Sequence, residues 1–195
     1  MFYGFSKAVV RFVVFFMFRL RARGTENVPK EGPAILAMNH RSNHDPIMAG
    51  LTCPRQLRFM AKAELFENKL FGAVIKKLGA FPVHRGKGDL AAIKSAFKIF
   101  NDGGVMLIFP EGGRIKDSSR RKAKPGVALI AQKSGVPVIP VYITGKYKFM
   151  HRITVTYGKP IDFSQYKDQR MSGEEIQHLA DVVLDRIYAC AEEDK

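Results

Sequence analysis

The sequence predicts an α/β fold, a single-domain mixed sheet flanked by helices, and two observations indicate it. The chain has 195 residues, an ordinary length for one domain. After residue 24, short apolar runs alternate with helical patterns, as in α/β sheets. Hydrophobic residues make up 46% of the chain, which supplies a core and excludes a disordered or collagen-like protein. We therefore expect one folded domain over residues 24–195.

The first 23 residues predict a basic amphipathic helix at a membrane interface. An apolar run at residues 8–18, rich in Phe, is surrounded by cations and no acid. The run is shorter than the roughly 20 residues that span a bilayer, and arginines follow it where a secretory signal has small residues. A helix with its Phe side chains in lipid and its cations on lipid phosphates fits this pattern. The alternative is that the Phe face packs on the protein's own core.

Five apolar runs predict the strands of the sheet. Three are continuous, the run at residues 57–61 is interrupted only by Arg58, and the fifth alternates, which are the patterns of buried and half-buried strands. They cover residues 34–38, 57–61, 105–109, 138–143 and 153–157. Because Pro140 has no backbone N–H, we expect its strand at a sheet edge or at a bulge.

Helices are predicted between and after these strands. Apolar residues at helical spacing from Leu90 to Phe100 stop before two glycines, which form a typical C-terminal cap. A second helix covers about residues 127–133 and ends at Gly135. Residues 172–175 have the spacing of a capping box, and an apolar stripe over residues 176–187 follows it. We expect that stripe to pack on the core.

The charge balance predicts a negatively charged partner. Lys and Arg number 32 against 18 Asp and Glu, a formal net charge of +14. Such a charge suits nucleic acid, an anionic membrane or a phosphorylated substrate. No zinc-finger spacing, helix-turn-helix or aromatic RNA-binding signature is found, so we expect no nucleic-acid partner. The two cysteines, Cys53 and Cys190, are too few for a disulfide framework and favour a reducing compartment.

The densest polar cluster, residues 39–46, stands where a buried strand ends and a helix begins. Ligands of open α/β sheets bind at such places. With His40 in the loop and Asp45 in the first helical turn, the imidazole can fold back onto the carboxylate. One imidazole nitrogen then donates to Asp45, and the other can take a proton from a hydroxyl. The cluster therefore predicts general-base catalysis.

Two other interpretations of this cluster remain open. Ser42 or Asp45 can simply cap the helix, with Pro46 in its first turn. His40, His44 and Asp45 could instead bind a metal, but a further well-placed ligand and the Glu of a metalloprotease motif are missing. We therefore expect no metal.

A second candidate site follows the strand predicted at residues 105–109. Gly112 and Gly113 allow backbone N–H groups to approach a ligand closely, which predicts an anion site. Arg114 in this turn and Arg85 in another strand-end turn can form bidentate bonds to a phosphate. No Walker-type Gly-Lys-Ser/Thr sequence occurs, so the signature of nucleotide hydrolysis is missing.

Four blocks of the sequence resemble the lysophosphatidic acid (1-acylglycerol-3-phosphate) acyltransferase family of glycerolipid acyltransferases. The first is its H-x-x-x-x-D motif, here Asn39-His40-Arg41-Ser42-Asn43-His44-Asp45. The others follow in family order at residues 62–65 with 79–86, 109–114 and 136–141. Two positions depart from the family pattern, since Gly113 replaces a Thr and His84 stands where an acidic residue is common. Both departures bear on the choice of acceptor.

The resemblance implies transfer of a fatty acyl group from a thioester of coenzyme A or acyl carrier protein to the free hydroxyl of lysophosphatidic acid, giving phosphatidic acid. His40 would be the general base and Asp45 would fix its tautomer. The implied contacts of the acceptor are Arg85, Glu111, Gly112, Arg114 and Lys124. The thioester is a co-substrate, so no cofactor is implied.

Other functions are also compatible with the sequence. The same chemistry could serve glycerol 3-phosphate, another lysophospholipid or an acylated amine lipid. A basic non-enzymatic protein that binds membrane or nucleic acid is the alternative from another class. Because the acyl chain must come from a bilayer, we expect the protein on anionic phospholipid, at the cytoplasmic face of a membrane.

Overall fold

One mixed sheet with helices on both faces forms the domain, as predicted. The computed structural model describes residues 4, 7, 11, 12, 14, 16–83, 90–115 and 123–192. Its strands are β1 (Arg19–Arg23), β2 (Ala34–Met38), β3 (Leu57–Lys62), β4 (Ala80–Val83), β5 (Val105–Ile108), β6 (Val138–Gly145) and β7 (Arg152–Tyr157). Their order is β1-β7-β6-β2-β5-β3-β4. The neighbouring strands pair in parallel except β6 and β7, which are antiparallel.

The helices agree with the predicted pattern and add one that was not predicted. They are α1 (Asp45–Thr52), α2 (Lys69–Lys77), α3 (Leu90–Asn101), α4 (Gly126–Ser134) and α5 (Gly173–Ala189). The capping box is present, because the Ser172 hydroxyl accepts from the Glu175 N–H and the Glu175 carboxylate accepts from the Ser172 N–H. The apolar stripe of α5 is buried, as expected. Helix α2 is the element that was not predicted.

The core lies on both faces of the sheet. Successive strand residues point to opposite faces, so Ile35 and Leu36 are both fully buried but belong to different clusters. Ile35 and Met106 pack with α3, α4 and α5. Leu36 and Leu107 pack on the other face with α1. Burial on both sides explains why these central strands appear in the sequence as continuous apolar runs.

The two edge strands of the sheet were not predicted. Residues 19–23 were expected in the N-terminal helix, but they form β1, so the sheet begins before the boundary expected at residue 24. Arg19, Arg21 and Arg23 alternate with smaller residues, which is a strand period and suits an exposed edge. Strand β4, at the other edge, contains Pro82, which an edge strand tolerates. Edge strands bury little, so neither has the apolar signal of the central strands.

Pro140 was expected to put its strand at an edge or a bulge, but β6 lies inside the sheet between β7 and β2. Its ladder with β7 starts one residue later, at Val141. The Pro140 carbonyl accepts from the Gly158 N–H at 2.8 Å. The N–H that proline lacks is therefore missing at the end of a ladder, where its loss costs little.

Candidate active site

The predicted polar segments meet at one edge of the sheet. Strands β2, β5 and β6 are parallel and adjacent in the order β5-β2-β6, so their carboxyl ends lie together. Residues 39–44 follow β2, residues 109–115 follow β5, and residues 146–151 follow β6. This is the edge at which α/β sheets bind ligands.

His40 and Asp45 form the hydrogen bond that their spacing predicted. His40 Nδ1 lies 2.9 Å from Asp45 Oδ2. Asp45 is fully buried, while the His40 side chain is 14% exposed. The imidazole stacks on Phe109, with ring centroids 4.0 Å apart. Because a carboxylate only accepts, Nδ1 carries the proton and Nε2 is left to accept one from a substrate.

Asp45 also organises the loop that carries His40. Its Oδ2 accepts the backbone N–H groups of Arg41 at 2.6 Å and Ser42 at 2.7 Å. The N-cap of α1 is His44, with no capping side chain, and Pro46 lies in the first turn. The alternative interpretation, in which Ser42 or Asp45 caps the helix, is therefore not borne out, because the Asp45 carboxylate turns back into the loop.

Tyr147 also belongs to the hydrogen-bonded group of His40 and Asp45. Nothing in the sequence indicated it. Its hydroxyl donates to Asp45 Oδ1 at 2.5 Å. Burial, and then the hydrogen bond to Asp45, raise the pKa of Tyr147 far above its usual value. The phenol therefore remains a donor, and it holds the carboxylate oxygen that His40 does not use.

The turn after β5 holds the backbone of His40 on both sides. The His40 N–H donates to Glu111 Oε2 at 2.6 Å. In return, the Ile115 N–H donates to the His40 carbonyl at 2.8 Å. The other oxygen of Glu111 accepts from the Tyr188 hydroxyl on α5 at 3.0 Å. His40 is therefore fixed through its side chain by Asp45 and through its main chain by this turn.

This geometry gives Glu111 a positioning role in place of the expected contact with the acceptor. Glu111 is buried, and protein donors occupy both of its oxygens. Burial raises its pKa, although the hydrogen bonds from His40 and Tyr188 oppose that shift.

Three of the other predicted phosphate contacts lie in or beside the same turn. Gly112 has φ +67°, and its N–H donates to the Phe109 carbonyl at 3.0 Å. The stem of Lys124 lies over Gly112, so that a Cβ there would be 2.9 Å from Lys124 Cγ. Arg114 is exposed two residues further on. Arg85 lies outside the described residues.

The metal interpretation of the cluster finds no support in the part of the chain that the structure describes. The Nδ1 atoms of His40 and His44 are engaged by Asp45 and by the Ser42 hydroxyl, respectively. No three His, Cys, Asp or Glu side chains are grouped as metal ligands among the described residues.

Asn39 is a further residue whose role the sequence did not reveal. It is buried, and its side chain bonds both backbone groups of Ile143 on β6, at 2.7 Å and 3.1 Å. This amide ties the start of the His40 loop to β6, the strand that leads to Tyr147. The partners Ile143, Tyr147 and Tyr188 are each more than 70 residues away from the groups they hold, so no local pattern marks them.

Comparison with known proteins gives consistent matches. The Acyltransferase family profile matches residues 19–144. The 1-acyl-sn-glycerol-3-phosphate acyltransferase of Streptococcus pneumoniae is 35% identical over 88% of this chain and 66% of its own length. The protein of that name from Bacillus subtilis is 31% identical over 73% and 71%. A crystal structure of the 1-acyl-sn-glycerophosphate acyltransferase from Thermotoga maritima shares the fold, with TM-score 0.72, 24% identity, and coverage of 94% and 76%.

Proposed function

The chain belongs to the acyltransferase family, and from that premise we propose that it transfers a fatty acyl group from a thioester to the free hydroxyl of 1-acylglycerol-3-phosphate. The donor is the thioester of coenzyme A or acyl carrier protein, and the product is phosphatidic acid. The names of the relatives support this substrate. The observation that carries the proposal is the His40–Asp45 pair beside the turn with Gly112 and Arg114.

The reaction is a direct attack on the thioester. His40 Nε2 takes the proton of the acceptor hydroxyl while the hydroxyl oxygen bonds to the carbonyl carbon of the thioester. Asp45 stabilises the imidazolium that forms. When the tetrahedral intermediate collapses, the carbon–sulfur bond breaks, and the thiolate receives the proton from His40 and leaves as the thiol. No acyl-enzyme and no cofactor take part in this route.

The negative charge on the tetrahedral oxygen requires hydrogen-bond donors. The Gly112 N–H is used within its own turn, and Asp45 occupies those of Arg41 and Ser42. The neighbouring N–H groups of Gly113 and Arg114 have no partner among the described residues. We assign the oxyanion to this pair of backbone donors.

The phosphate of the acceptor is bound on the basic side of the same turn. Arg114 and Lys124 are exposed there, and Arg85 is the third cation that we assign to it. Arginine suits a phosphate because its planar fork forms two parallel hydrogen bonds. Because Gly112 has no side chain, the stem of Lys124 can lie against the turn and bring its ammonium group to the same side.

Thiol release from palmitoyl-coenzyme A or palmitoyl carrier protein in detergent micelles, with the product identified by mass spectrometry, tests the proposal. We expect release that requires lysophosphatidic acid and yields phosphatidic acid. Glycerol 3-phosphate, lysophosphatidylcholine and an acylated amine lipid serve as competing acceptors. Faster turnover of one of these would identify it as the acceptor, and the acyl-transfer reaction would be the same. No turnover with either donor and any acceptor would overturn the enzymatic proposal in favour of a binding protein.

A further inference from the structure

The connection between β6 and β7 exposes two large apolar side chains beside the candidate active site. Phe149 is 74% exposed and Met150 is also exposed. Such side chains gain no burial within the domain, and clusters of them mark surfaces that contact a partner or a membrane.

A second apolar group lies on the N-terminal helical segment. Phe12 is 66% exposed, and Phe16 and Met17 are exposed as well. The rings of Phe12 and Phe16 are in edge-to-face contact, with centroids 4.9 Å apart. Val14 and Phe18 are buried in the core cluster of β2 and α1. The segment therefore packs Val14 and Phe18 on the domain, as the alternative interpretation expected, and presents Phe12, Phe16 and Met17 to the outside.

Backbone hydrogen bonds place the segments that carry the two groups side by side. The Met150 N–H donates to the Met17 carbonyl at 2.8 Å, and the Arg19 N–H donates to the His151 carbonyl at 3.0 Å. We call the two groups together the apolar face. It consists of Phe12, Phe16, Met17, Phe149 and Met150.

The chain stretches that carry the apolar face are basic. Residues 1–25 and 118–161 contain no Asp or Glu. Arg11, Arg19, Lys146, Lys148 and Arg152 are exposed cations close in the chain to these apolar residues. An apolar centre with a cationic border is complementary to a bilayer that contains anionic phospholipid.

We propose that the β6–β7 connection inserts Phe149 and Met150 into an anionic phospholipid bilayer, beside the N-terminal segment for which membrane contact was already expected. In the described part of the chain, no helix combines the length and hydropathy needed to cross a bilayer.

Docking through this connection places the active site next to the lipid. Tyr147 donates to Asp45, and Phe149, two residues further along the same connection, is exposed on the apolar face. A lysophospholipid in the bilayer then has a short path to His40. The role of docking in substrate delivery rests on the proposed function, but binding to the bilayer can be measured without turnover.

A single tryptophan tests the proposal directly, because the chain contains no Trp. Phe149→Trp is compared with Leu70→Trp on α2, which is 80% exposed and follows β3 near the opposite edge of the sheet. Vesicles contain phosphatidylcholine with phosphatidylglycerol, or phosphatidylcholine alone. With anionic vesicles we expect a blue shift and quenching by brominated lipid for Phe149→Trp, and neither for Leu70→Trp. An emission spectrum of Phe149→Trp that anionic vesicles leave unchanged would overturn the proposal, as would equal shifts in both variants.

Phe149→Ser provides a second measurement, for which Leu70→Ser is the control. Burial of one Phe side chain contributes enough that Phe149→Ser should weaken partitioning onto anionic vesicles about tenfold. Turnover of lipid in vesicles should fall similarly, and turnover of a soluble short-chain pair should stay unchanged. Unaltered partitioning would contradict docking by the connection. If the wild type bound anionic vesicles but showed no acyl transfer, only the proposed function would be contradicted.

Discussion

Glu111 and His40 are joined by a hydrogen bond across 71 residues of sequence, from the His40 backbone N–H to Glu111 Oε2 at 2.6 Å. Because the donor is a backbone group, this hydrogen bond fixes the position of the His40 main chain, from which the imidazole extends. Tyr188 holds the other oxygen of Glu111, and α5 therefore supports the His40 loop from behind. The third sequence block thus positions the residue of the first block that carries the proposed chemistry.

Glu111→Gln tests this buried carboxyl through the pH dependence of stability. Burial raises the pKa of Glu111 above its ordinary value of 4.5. Between the ordinary and the raised pKa, the folded chain holds a proton that the unfolded chain has lost, so this group's contribution to stability falls as pH rises through that window. We expect the free energy of unfolding of the wild type, minus that of Glu111→Gln, to decrease from pH 4.5 upward and then level off. A difference that is flat or rises with pH would show that Glu111 is not held in this way.

Tyr147→Phe removes the donor to Asp45 Oδ1 and keeps the ring. A hydrogen bond to a charged group is worth about 1.5–3 kcal/mol, so we expect kcat to fall about tenfold or more while KM for the acceptor changes little. Tyr166→Phe, on the 3₁₀ turn Ser164–Tyr166, is the matched control and should keep the wild-type kcat. If Tyr147→Phe matches that control, the hydroxyl has no part in positioning Asp45.

Arg114→Ala tests the assignment of the acceptor phosphate. Loss of a charge-assisted hydrogen bond should raise KM for lysophosphatidic acid at least tenfold. Turnover of monoacylglycerol, which has no phosphate, should not change. Arg170→Ala removes an exposed arginine elsewhere and should leave both substrates unaffected. A similar loss on both acceptors with Arg114→Ala would assign the residue to stability or to the donor.

Phe12→Ser combined with Phe16→Ser tests the N-terminal part of the apolar face. Both side chains are exposed, so we expect unchanged stability and at least a tenfold loss of binding to anionic vesicles in a sedimentation assay. Deletion of residues 1–20 would be a poorer test, because it also removes the buried Val14 and Phe18 and the start of β1. Wild-type vesicle binding by the double variant would show that the segment is only structural.

Local patterns predicted the parts of this protein that are held together locally. The five-residue spacing of His40 and Asp45 allowed the imidazole to fold back onto the carboxylate, and the capping box of α5 is a contact across three residues. The central strands were predicted because burial on both faces leaves a continuous apolar run. All five predicted strands are present in the sheet, which has two further strands at its edges.

What the sequence could not reveal depends on contacts between distant segments. Tyr147 reaches Asp45 across 102 residues and Tyr188 reaches Glu111 across 77, and neither tyrosine stands in a recognisable pattern. Glu111 was assigned to the substrate because its block is rich in groups that bind phosphate, whereas burial and two protein donors give it another task. The arginines of β1 were assigned to a helix because they directly follow the Phe-rich apolar run, although their alternation is a strand period.

The most direct test of the proposed mechanism is the turnover number of His40→Ala with lysophosphatidic acid and palmitoyl-coenzyme A, measured beside His178→Ala, an exposed histidine on α5. Removal of a general base lowers the rate by about 10²–10⁴-fold. We expect a loss of that size for His40→Ala and wild-type turnover for His178→Ala, with both variants folded by circular dichroism. Turnover by folded His40→Ala close to that of the wild type would contradict general-base catalysis by His40.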